Sequence, residues 1–206
     1  MSNPYKLNLA KHSTHSLIKR LIGANNTVLD VGCNEGYLGS ISDPSNVFYG
    51  LEYSADSIQV ALKNGYRQVL QVDLNKIENL VLDTKFEVIV FADVLEHLLH
   101  PELVLEYFIL HHLQAGGRII VSLPNIANWQ IRIQLLLGIF DYTETGIMDK
   151  THLHFYTYKS ARELLLKDNL KIKSELAGSS FFGPLTQLMP FTRPLLATSI
   201  IYELQN

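Results

Sequence analysis

Short apolar runs alternate with stretches of helical periodicity along most of this chain. The run FEVIVFA at 86–92 is almost continuously apolar, which predicts a central strand buried on both sides. Strand and helix patterns alternate through the first 123 residues, an order typical of a parallel sheet with helices on both faces. The predicted strands lie at 27–31, 47–51, 68–72, 86–92 and 118–123, and the predicted helices near 35–41, 55–63 and 101–112.

Two stretches, 124–156 and 178–195, interrupt this rhythm. They carry aromatic side chains such as Trp129, Phe140 and Tyr142 without a clear strand pattern. This composition predicts a cap beneath which the aromatic rings pack and which forms the ligand-facing side of the fold. A surface between two copies of the chain, a homodimer, is the alternative use of these stretches. The remaining predicted elements are a helix at about 157–168 and strands at 170–176 and 197–204.

Residues 1–26 form a basic leader that is predicted to be helical. They hold four basic residues and no acid, so the rest of the chain carries a formal charge of −3 minus 4, or −7. Ser13 is a suitable N-cap, and apolar residues follow it at helical spacing, among them Leu17, Ile18 and Ile22. The pattern favours a packed helix over a transit peptide, which would be richer in arginine.

Composition limits the class of protein. The 206 residues are 47% hydrophobic and 18% charged, which excludes a disordered chain and predicts a single domain over 1–206. The net charge of −3 provides no basic excess for nucleic acid, and the apolar runs are too short for a membrane span. The single cysteine, Cys33, cannot form an internal disulfide, so we expect a cytoplasmic protein in a reducing compartment.

The segment VLDVGCNEGYLG at 28–39 predicts a ligand-binding loop between a strand and a helix. Gly32 and Gly36 allow the backbone to approach a ligand closely, and open α/β sheets bind ligands at this edge. A dinucleotide fingerprint that begins at Gly32 requires small residues at the positions that Asn34 and Tyr37 occupy. An NAD-dependent oxidoreductase is therefore disfavoured.

The same loop resembles the D-x-G-x-G-x-G motif of class I S-adenosylmethionine-dependent methyltransferases, with Asp30 at its start and Asn34 in place of the middle glycine. Three further segments are similar to that family in order: the strand that ends at Glu52, QVDLN around Asp73, and FADVLEHL, followed by GGRIIVSLPN. The resemblance covers 28–123. It implies a Rossmann-like seven-stranded sheet of order 3-2-1-4-5-7-6, with strand 7 antiparallel and helices on both faces.

The resemblance also implies S-adenosylmethionine as the cofactor. Glu52, 20 positions after Gly32, is where a carboxylate can accept both ribose hydroxyl hydrogens. The Asp73 carboxylate is expected to accept from the adenine amine while Leu74 covers the ring. Cys33 is expected to be a small packed loop residue rather than a nucleophile. The predicted cofactor-binding set is Asp30, Gly32, Cys33, Asn34, Gly36, Glu52, Tyr53, Asp73, Leu74, Ala92 and Asp93.

Methyl transfer from a sulfonium requires mainly alignment and desolvation, because the leaving group is a neutral thioether. A hydroxyl acceptor becomes more nucleophilic when a base removes its proton, and histidine suits that task near neutral pH. His97 and His152 are the predicted catalytic residues, and His97 leads because it follows the fourth strand. His154 is a further candidate, and a structural role is the alternative for each.

Asp93, Glu96 and His97 fall at i, i+3 and i+4, so one helical turn would place them on one face. A similar segment of quinone-biosynthesis O-methyltransferases is associated with a metal, which makes a divalent cation the alternative to the favoured metal-free pocket. GIMDKTHLHFYT at 146–157 resembles a segment of methyltransferases that modify surface polysaccharides and other small metabolites. These resemblances imply O-methylation of a sugar, a quinone or a related metabolite, with a catalytically silent cofactor-binding module as the alternative.

Overall fold

A computed structural model describes residues 7–77, 80–166, 170–179 and 181–205 of the chain. Within these ranges the strands are β1 (Thr27–Val31), β2 (Val47–Glu52), β3 (Gln68–Gln71), β4 (Phe86–Ala92), β5 (Leu113–Pro124), β6 (Lys171–Gly178) and β7 (Ser199–Gln205). The α-helices are α1 (Thr14–Ile22), α2 (Tyr37–Ile41), α3 (Ala55–Lys63), α4 (Pro101–His111), α5 (Trp129–Leu136), α6 (Tyr158–Leu165), α7 (Gly183–Leu188) and α8 (Arg193–Leu196). None of the helices in the described ranges has the length and apolar character that a membrane crossing requires.

The strands form one sheet of order β3-β2-β1-β4-β5-β7-β6 in the described part of the chain. β1 pairs in parallel with β2 and β4, so Asp30 lies opposite Gly50 on one side and Val90 on the other. β7 runs antiparallel to β5 and β6. The predicted order with an antiparallel strand 7 is confirmed. The carboxyl ends of the parallel strands meet at one edge, where ligands bind in open α/β sheets.

Alternate residues of the central strands face two separate apolar layers. Val88 and Val90 of β4 pack in the layer that includes buried residues of α1, α2 and α3. Ile89 and Phe91 belong to the layer that includes buried residues of α4 and α6. Burial on both faces accounts for the continuous apolar sequence of β4, and the predicted helices on both faces are confirmed.

The N-terminal helix begins where the sequence predicts. The Ser13 hydroxyl accepts a hydrogen bond from the Ser16 N–H at 3.3 Å, and α1 is followed by Gly23 with a φ of 72°. Leu17 and Ile18 are fully buried, and α1 packs on β5 and β7. This packing fixes α1 beside the ligand-binding edge. The first six residues of the predicted leader lie outside the described residues.

The regions that interrupt the sequence rhythm differ most from expectation. α5 is a regular helix inside 124–156, where no element is predicted. Phe140 and Tyr142 are 45% and 56% exposed, so the expectation that they pack beneath a cap is wrong. β5 begins at Leu113 rather than at 118, because a register shift against β4 accommodates Gly116 with its left-handed φ of 75°. The predicted end of the helix at 157–168 lies outside the described residues.

Candidate cofactor and catalytic site

An open cavity of about 690 Å³ lies at the carboxyl edge of the parallel strands. Every residue of the predicted cofactor set lines it except Gly36, and His97 lines it as well, whereas His152 does not belong to the described lining. Several further lining residues were not predicted to contact a ligand, because they come from α1, α2 and the loops, whose packing direction no local pattern reveals. These additional residues are His15, Tyr37, Leu38, Val72, Asn75, Val94, Leu98 and Thr151.

The loop after β1 is held close against its neighbours. The N–H groups of Gly32 and Cys33 both donate to the Leu51 carbonyl, at 2.8 and 3.0 Å. Gly32 has a φ of 74°, and a Cβ at this position would lie 2.7 Å from Val94 Cγ2. A side chain at position 32 would therefore strain the backbone and push the loop away from β4.

Asn34 reproduces the backbone of the glycine that it replaces. Its φ is 49°, in the left-handed region, which asparagine tolerates better than most residues. Gly36 also has a positive φ, 75°, and its missing side chain leaves room for Ala61 and Tyr66, each 2.8 Å from where a Cβ would be. Gly36 thus packs the loop against α3, and its predicted contact with a cofactor stays a prediction.

Glu52 is oriented by two backbone donors. The Asn34 N–H donates to Oε2 at 2.9 Å, and the Ser54 N–H donates to Oε1 at 2.8 Å. Each carboxylate oxygen has two lone pairs, so both oxygens keep an acceptor position for a ligand. The neighbouring Tyr53 is 71% exposed and lines the same cavity. The end of β2 therefore presents a fixed, paired acceptor that suits two adjacent hydroxyl groups.

The turn after β3 brings another carboxylate to the cavity. Asp73 Oδ1 accepts from the Asn75 N–H at 3.0 Å, and Oδ2 lies 3.3 Å from Lys76 Nζ. Asn75 Oδ1 accepts from the Leu99 N–H at 2.9 Å, which joins this turn to the segment that follows β4. Leu74 is half-buried in the cavity wall. The turn thus offers a carboxylate acceptor and an apolar surface side by side.

Asp30 is a buried acid beneath the loop. It is 2% exposed, its Oδ2 accepts a hydrogen bond from the Tyr66 hydroxyl, and its Oδ1 has no hydrogen-bond partner among the residues that the structure describes. Burial raises the pKa of Asp30 to about 7. Burial also raises the pKa of the Cys33 thiol far above its ordinary value. Cys33 is therefore a packed thiol, as predicted, and does not have the character of a nucleophile.

The end of β4 is anchored to β5. Ala92 lies opposite Ser122 in the parallel pairing. Asp93 adopts a left-handed φ of 55°, and its Oδ1 accepts a hydrogen bond from the Ser122 hydroxyl at 2.7 Å. Farther along the cavity lining, the rings of His15 and Tyr37 are 6.1 Å apart and nearly perpendicular. These two rings bring α1 and α2 into the site.

The structure brings the two predicted catalytic histidines together. His97 ends a single 3₁₀ turn, Leu95–His97, and its ring centroid lies 4.7 Å from that of His152. His97 faces the cavity, whereas His152 is buried behind it, with Nδ1 3.2 Å from the Ile147 carbonyl. A carbonyl only accepts hydrogen bonds, so this contact places the His152 hydrogen on Nδ1. The His152 ring therefore packs against the His97 ring on the side away from the cavity.

Glu96 is a fully buried acid beside these rings. Neither of its carboxylate oxygens has a hydrogen-bond partner among the described residues, and Oε1 lies 3.9 Å from His152 Nε2. Burial raises the pKa of Glu96 well above its ordinary value and lowers the pKa of His152, so both groups favour their neutral forms. The Glu96 carbonyl accepts from the N–H groups of Leu153 and His154, which docks that segment on the 3₁₀ turn.

The candidate metal ligands differ from those that the sequence suggests. Glu96, His97 and His152 each offer a ligand atom, and these atoms lie within 4.8 Å of one another. Asp93 was expected to share a helical face with Glu96 and His97, but its left-handed backbone directs it to Ser122 instead. His154 does not join the group, since its ring packs 6.2 Å from that of Tyr156.

Comparisons with known proteins agree with this architecture. A ubiquinone biosynthesis O-methyltransferase of Candida albicans is 33% identical over 108 residues, which cover 48% of this chain and 32% of that protein. The chain thus spans about a third of that relative's length. An S-adenosylmethionine-dependent methyltransferase from Mesorhizobium loti matches 96% of this chain and 100% of its own, with a TM-score of 0.65 at 12% identity.

A second solved structure is similar over nearly the whole chain. The magnesium protoporphyrin IX methyltransferase of Synechocystis PCC 6803, with bound S-adenosylhomocysteine, has a TM-score of 0.68 at 15% identity, covering 99% of this chain and 90% of that chain. At these identities the likeness concerns the fold, which is that of class I methyltransferases. The model of one family, described as methionine biosynthesis protein MetW, matches residues 12–201, from the residue before the α1 N-cap into β7. The chain belongs to the MetW family.

Proposed function

We propose that the protein is an S-adenosylmethionine-dependent methyltransferase that O-methylates a small molecule, such as a sugar, a quinone or a related metabolite. The observation that carries the proposal is the cavity where the glycine loop, Glu52 and the Asp73 turn meet. Its volume of about 690 Å³ lies within the range of small-molecule sites. The methyltransferase fold and the O-methyltransferase relative support the same activity. The cytoplasmic location and the lack of nucleic-acid binding stay predictions.

The residues present fit this cofactor. The two oxygens of Glu52 would accept hydrogen bonds from the ribose hydroxyls, and Asp73 would accept one from the adenine amine while Leu74 would contact the ring. Asp30 Oδ1, which has no hydrogen-bond partner among the described residues, lies beneath the loop, where a bound cation would favour the charged form of the carboxyl group. Gly32 keeps the backbone close to the ligand. When bound, the cofactor supplies an electrophilic methyl group on a sulfonium.

His97 is the base of the proposed reaction. Its imidazole would take the acceptor's hydroxyl proton, which would make the acceptor oxygen a stronger nucleophile toward the methyl group that the bound cofactor would supply. The leaving thioether is neutral, so the protein needs no acid to protonate it. His152 lies behind His97 and outside the described cavity lining, so it acts through His97 rather than on the acceptor.

Glu52→Gln is expected to weaken S-adenosylhomocysteine binding roughly 10- to 100-fold, because the ribose loses a charge-assisted acceptor. Isothermal titration calorimetry of the wild type and the variant measures the change, and NAD serves as the competing ligand. Glu144→Gln is the matched control, since Glu144 is exposed and pairs with Lys150 away from the described cavity lining. Tight NAD binding without a response to S-adenosylhomocysteine would contradict the proposal.

The acceptor is identified by a metabolite screen that measures S-adenosylhomocysteine release. Sugars, quinone precursors and other small hydroxyl compounds are tested with and without a chelator. Release with a hydroxyl compound, insensitive to chelation, is the expected result. Cofactor binding without release for any class would favour the silent binding module, whereas loss of release on chelation would favour a cation at Glu96, His97 and His152.

A homodimer through the apolar segments stays a prediction, for which the structure supplies candidate residues. Phe181, Leu188 and Phe191 are 84%, 81% and 76% exposed around α7. If this surface joins two copies, Phe181→Glu combined with Phe191→Glu is expected to halve the mass measured by size-exclusion chromatography with light scattering, because burying two carboxylates in an apolar interface is costly. An unchanged mass would show that these residues are not part of an essential interface and would favour their use on the ligand-facing side of the fold.

A further inference from the structure

A chain of hydrogen bonds runs from the cavity through the exposed Thr151 to Asp149, which is buried in the turn that follows Gly146. His97 Nδ1 lies 3.1 Å from Thr151 Oγ1 and 3.3 Å from the Thr151 carbonyl oxygen. The Thr151 hydroxyl donates to Asp149 Oδ1 at 2.6 Å, and the Thr151 N–H donates to the same oxygen at 2.8 Å. Asp149 is 1% exposed, and its own N–H donates to the Gly146 carbonyl. Hydrogen bonds therefore connect this turn to the His97 ring.

The directions of these hydrogen bonds determine where the imidazole carries its hydrogen. A threonine hydroxyl has one hydrogen, and here that hydrogen is directed at the Asp149 carboxylate in a short charge-assisted bond. The hydroxyl oxygen and the carbonyl oxygen of Thr151 can therefore only accept from His97. Nδ1 must then be the donor, so in the neutral ring the unprotonated nitrogen is Nε2.

We propose that Thr151 and Asp149 are positioning residues that hold His97 in the Nδ1–H tautomer and thereby make Nε2 the base for methyl transfer. The proposal rests on the proposed function, in which His97 takes the acceptor's proton. When Nε2 takes that proton, the ring becomes an imidazolium with both nitrogens protonated, and the Nδ1–H bond toward the carboxylate strengthens. A third group that orients the base and stabilises its charged form is a recurrent device for activating hydroxyl groups.

The tautomer is measured directly on the free protein. Nitrogen-15 NMR of histidine-labelled protein, with the His97 signals assigned from their loss in His97→Gln, is expected to show Nδ1 protonated and Nε2 unprotonated in the neutral ring. A protonated Nε2 with a bare Nδ1 would overturn the proposal. So would a His97 Nε2 signal that moves when a chelator is added, since a cation would then occupy the nitrogen that the reaction needs.

The kinetic consequence is tested with three substitutions. Among the described residues, Thr151→Val leaves only the longer carbonyl contact to Nδ1. We therefore expect kcat to fall roughly tenfold and part of the His97 population to change tautomer, while the Kd for S-adenosylhomocysteine stays unchanged. Thr151→Ser keeps the hydroxyl and is expected to retain both the tautomer and most of kcat. Asp149→Asn keeps an acceptor oxygen but removes the charge, and a smaller fall in kcat is expected. Wild-type kcat in Thr151→Val would overturn the proposal.

The two proposals fail in different ways. If no acceptor supports turnover, the proposed methyltransferase activity fails, yet the NMR spectrum still reports whether Thr151 fixes the tautomer. If turnover is found and depends on His97, but the Thr151→Val ring keeps the wild-type tautomer and rate, the activity stands and the positioning role is wrong. A parallel loss of cofactor binding in Thr151→Val would also overturn that role, because it would mark a general disturbance of the cavity.

Discussion

Replacement of His97 by glutamine is expected to lower kcat roughly 10²- to 10⁴-fold, the range typical of losing a general base. Glutamine is polar and of similar length, so it fills the space beside His152 without supplying a base. The loss should be smaller at higher pH for an ionisable acceptor, because the acceptor then loses its proton to solvent. Initial rates of S-adenosylhomocysteine release, measured from neutral to alkaline pH with the acceptor found in the screen, provide the test.

Two comparisons separate loss of a base from general damage. His111→Gln is the matched control, because His111 is exposed at the end of α4 and does not belong to the described cavity lining, and its kcat should equal that of the wild type. The Kd for S-adenosylhomocysteine should be unchanged in His97→Gln. A fall in kcat of less than about tenfold would show that alignment alone carries the reaction and that His97 is structural.

The parallel half of the fold could be predicted because its strands are apolar runs, and such runs indicate strands that are buried on both faces. β1 and β4 have the predicted bounds, and α3 does as well. The same reasoning did not predict α5, whose exposed residues Leu135 and Leu136 break the usual separation of apolar and polar faces. A helix without an amphipathic stripe gives no periodic signal. Strand order came from the family resemblance, since periodicity does not encode which strands pair.

At the site, the sequence located residues but not their hydrogen-bond partners. Asn34 could be placed in the loop from its position in the motif, and its left-handed backbone explains why the motif tolerates it. The spacing of Asp93, Glu96 and His97 assumed a regular helical turn, which the positive φ of Asp93 excludes. Contacts between His97 and Thr151 join residues 54 positions apart, so no local pattern could reveal them.

Asp30 is a residue of the candidate site whose ionisation lowers the free energy of unfolding. Its carboxyl group is buried, and one oxygen accepts a hydrogen bond from Tyr66 while the other has no partner in the described part of the chain, so the charged form loses hydration that these contacts do not replace. This raises the pKa of Asp30 from 3.8 to about 7 in the folded protein. Between those two values the folded chain holds a proton that the unfolded chain has lost. The contribution of neutral Asp30 to the free energy of unfolding is therefore fully present below about pH 4 and is lost as pH rises through 7.

Asp30→Asn is expected to remove this loss, because asparagine keeps an acceptor for the Tyr66 hydroxyl and does not ionise. The free energy of unfolding of the variant, minus that of the wild type, should increase by about 3–5 kcal/mol between pH 4 and pH 8, since each pKa unit corresponds to about 1.4 kcal/mol. Urea unfolding of both proteins at a series of pH values measures the difference, in which the other titrating groups largely cancel.

Asp43→Asn is the control, since Asp43 is exposed and hydrogen bonds from Ser45 lower its pKa. For this variant the difference in the free energy of unfolding should be small and should decrease, rather than increase, as the pH rises. A difference between Asp30→Asn and the wild type that stays constant with pH would show that Asp30 is already charged at neutral pH, stabilised by contacts other than the single bond to Tyr66.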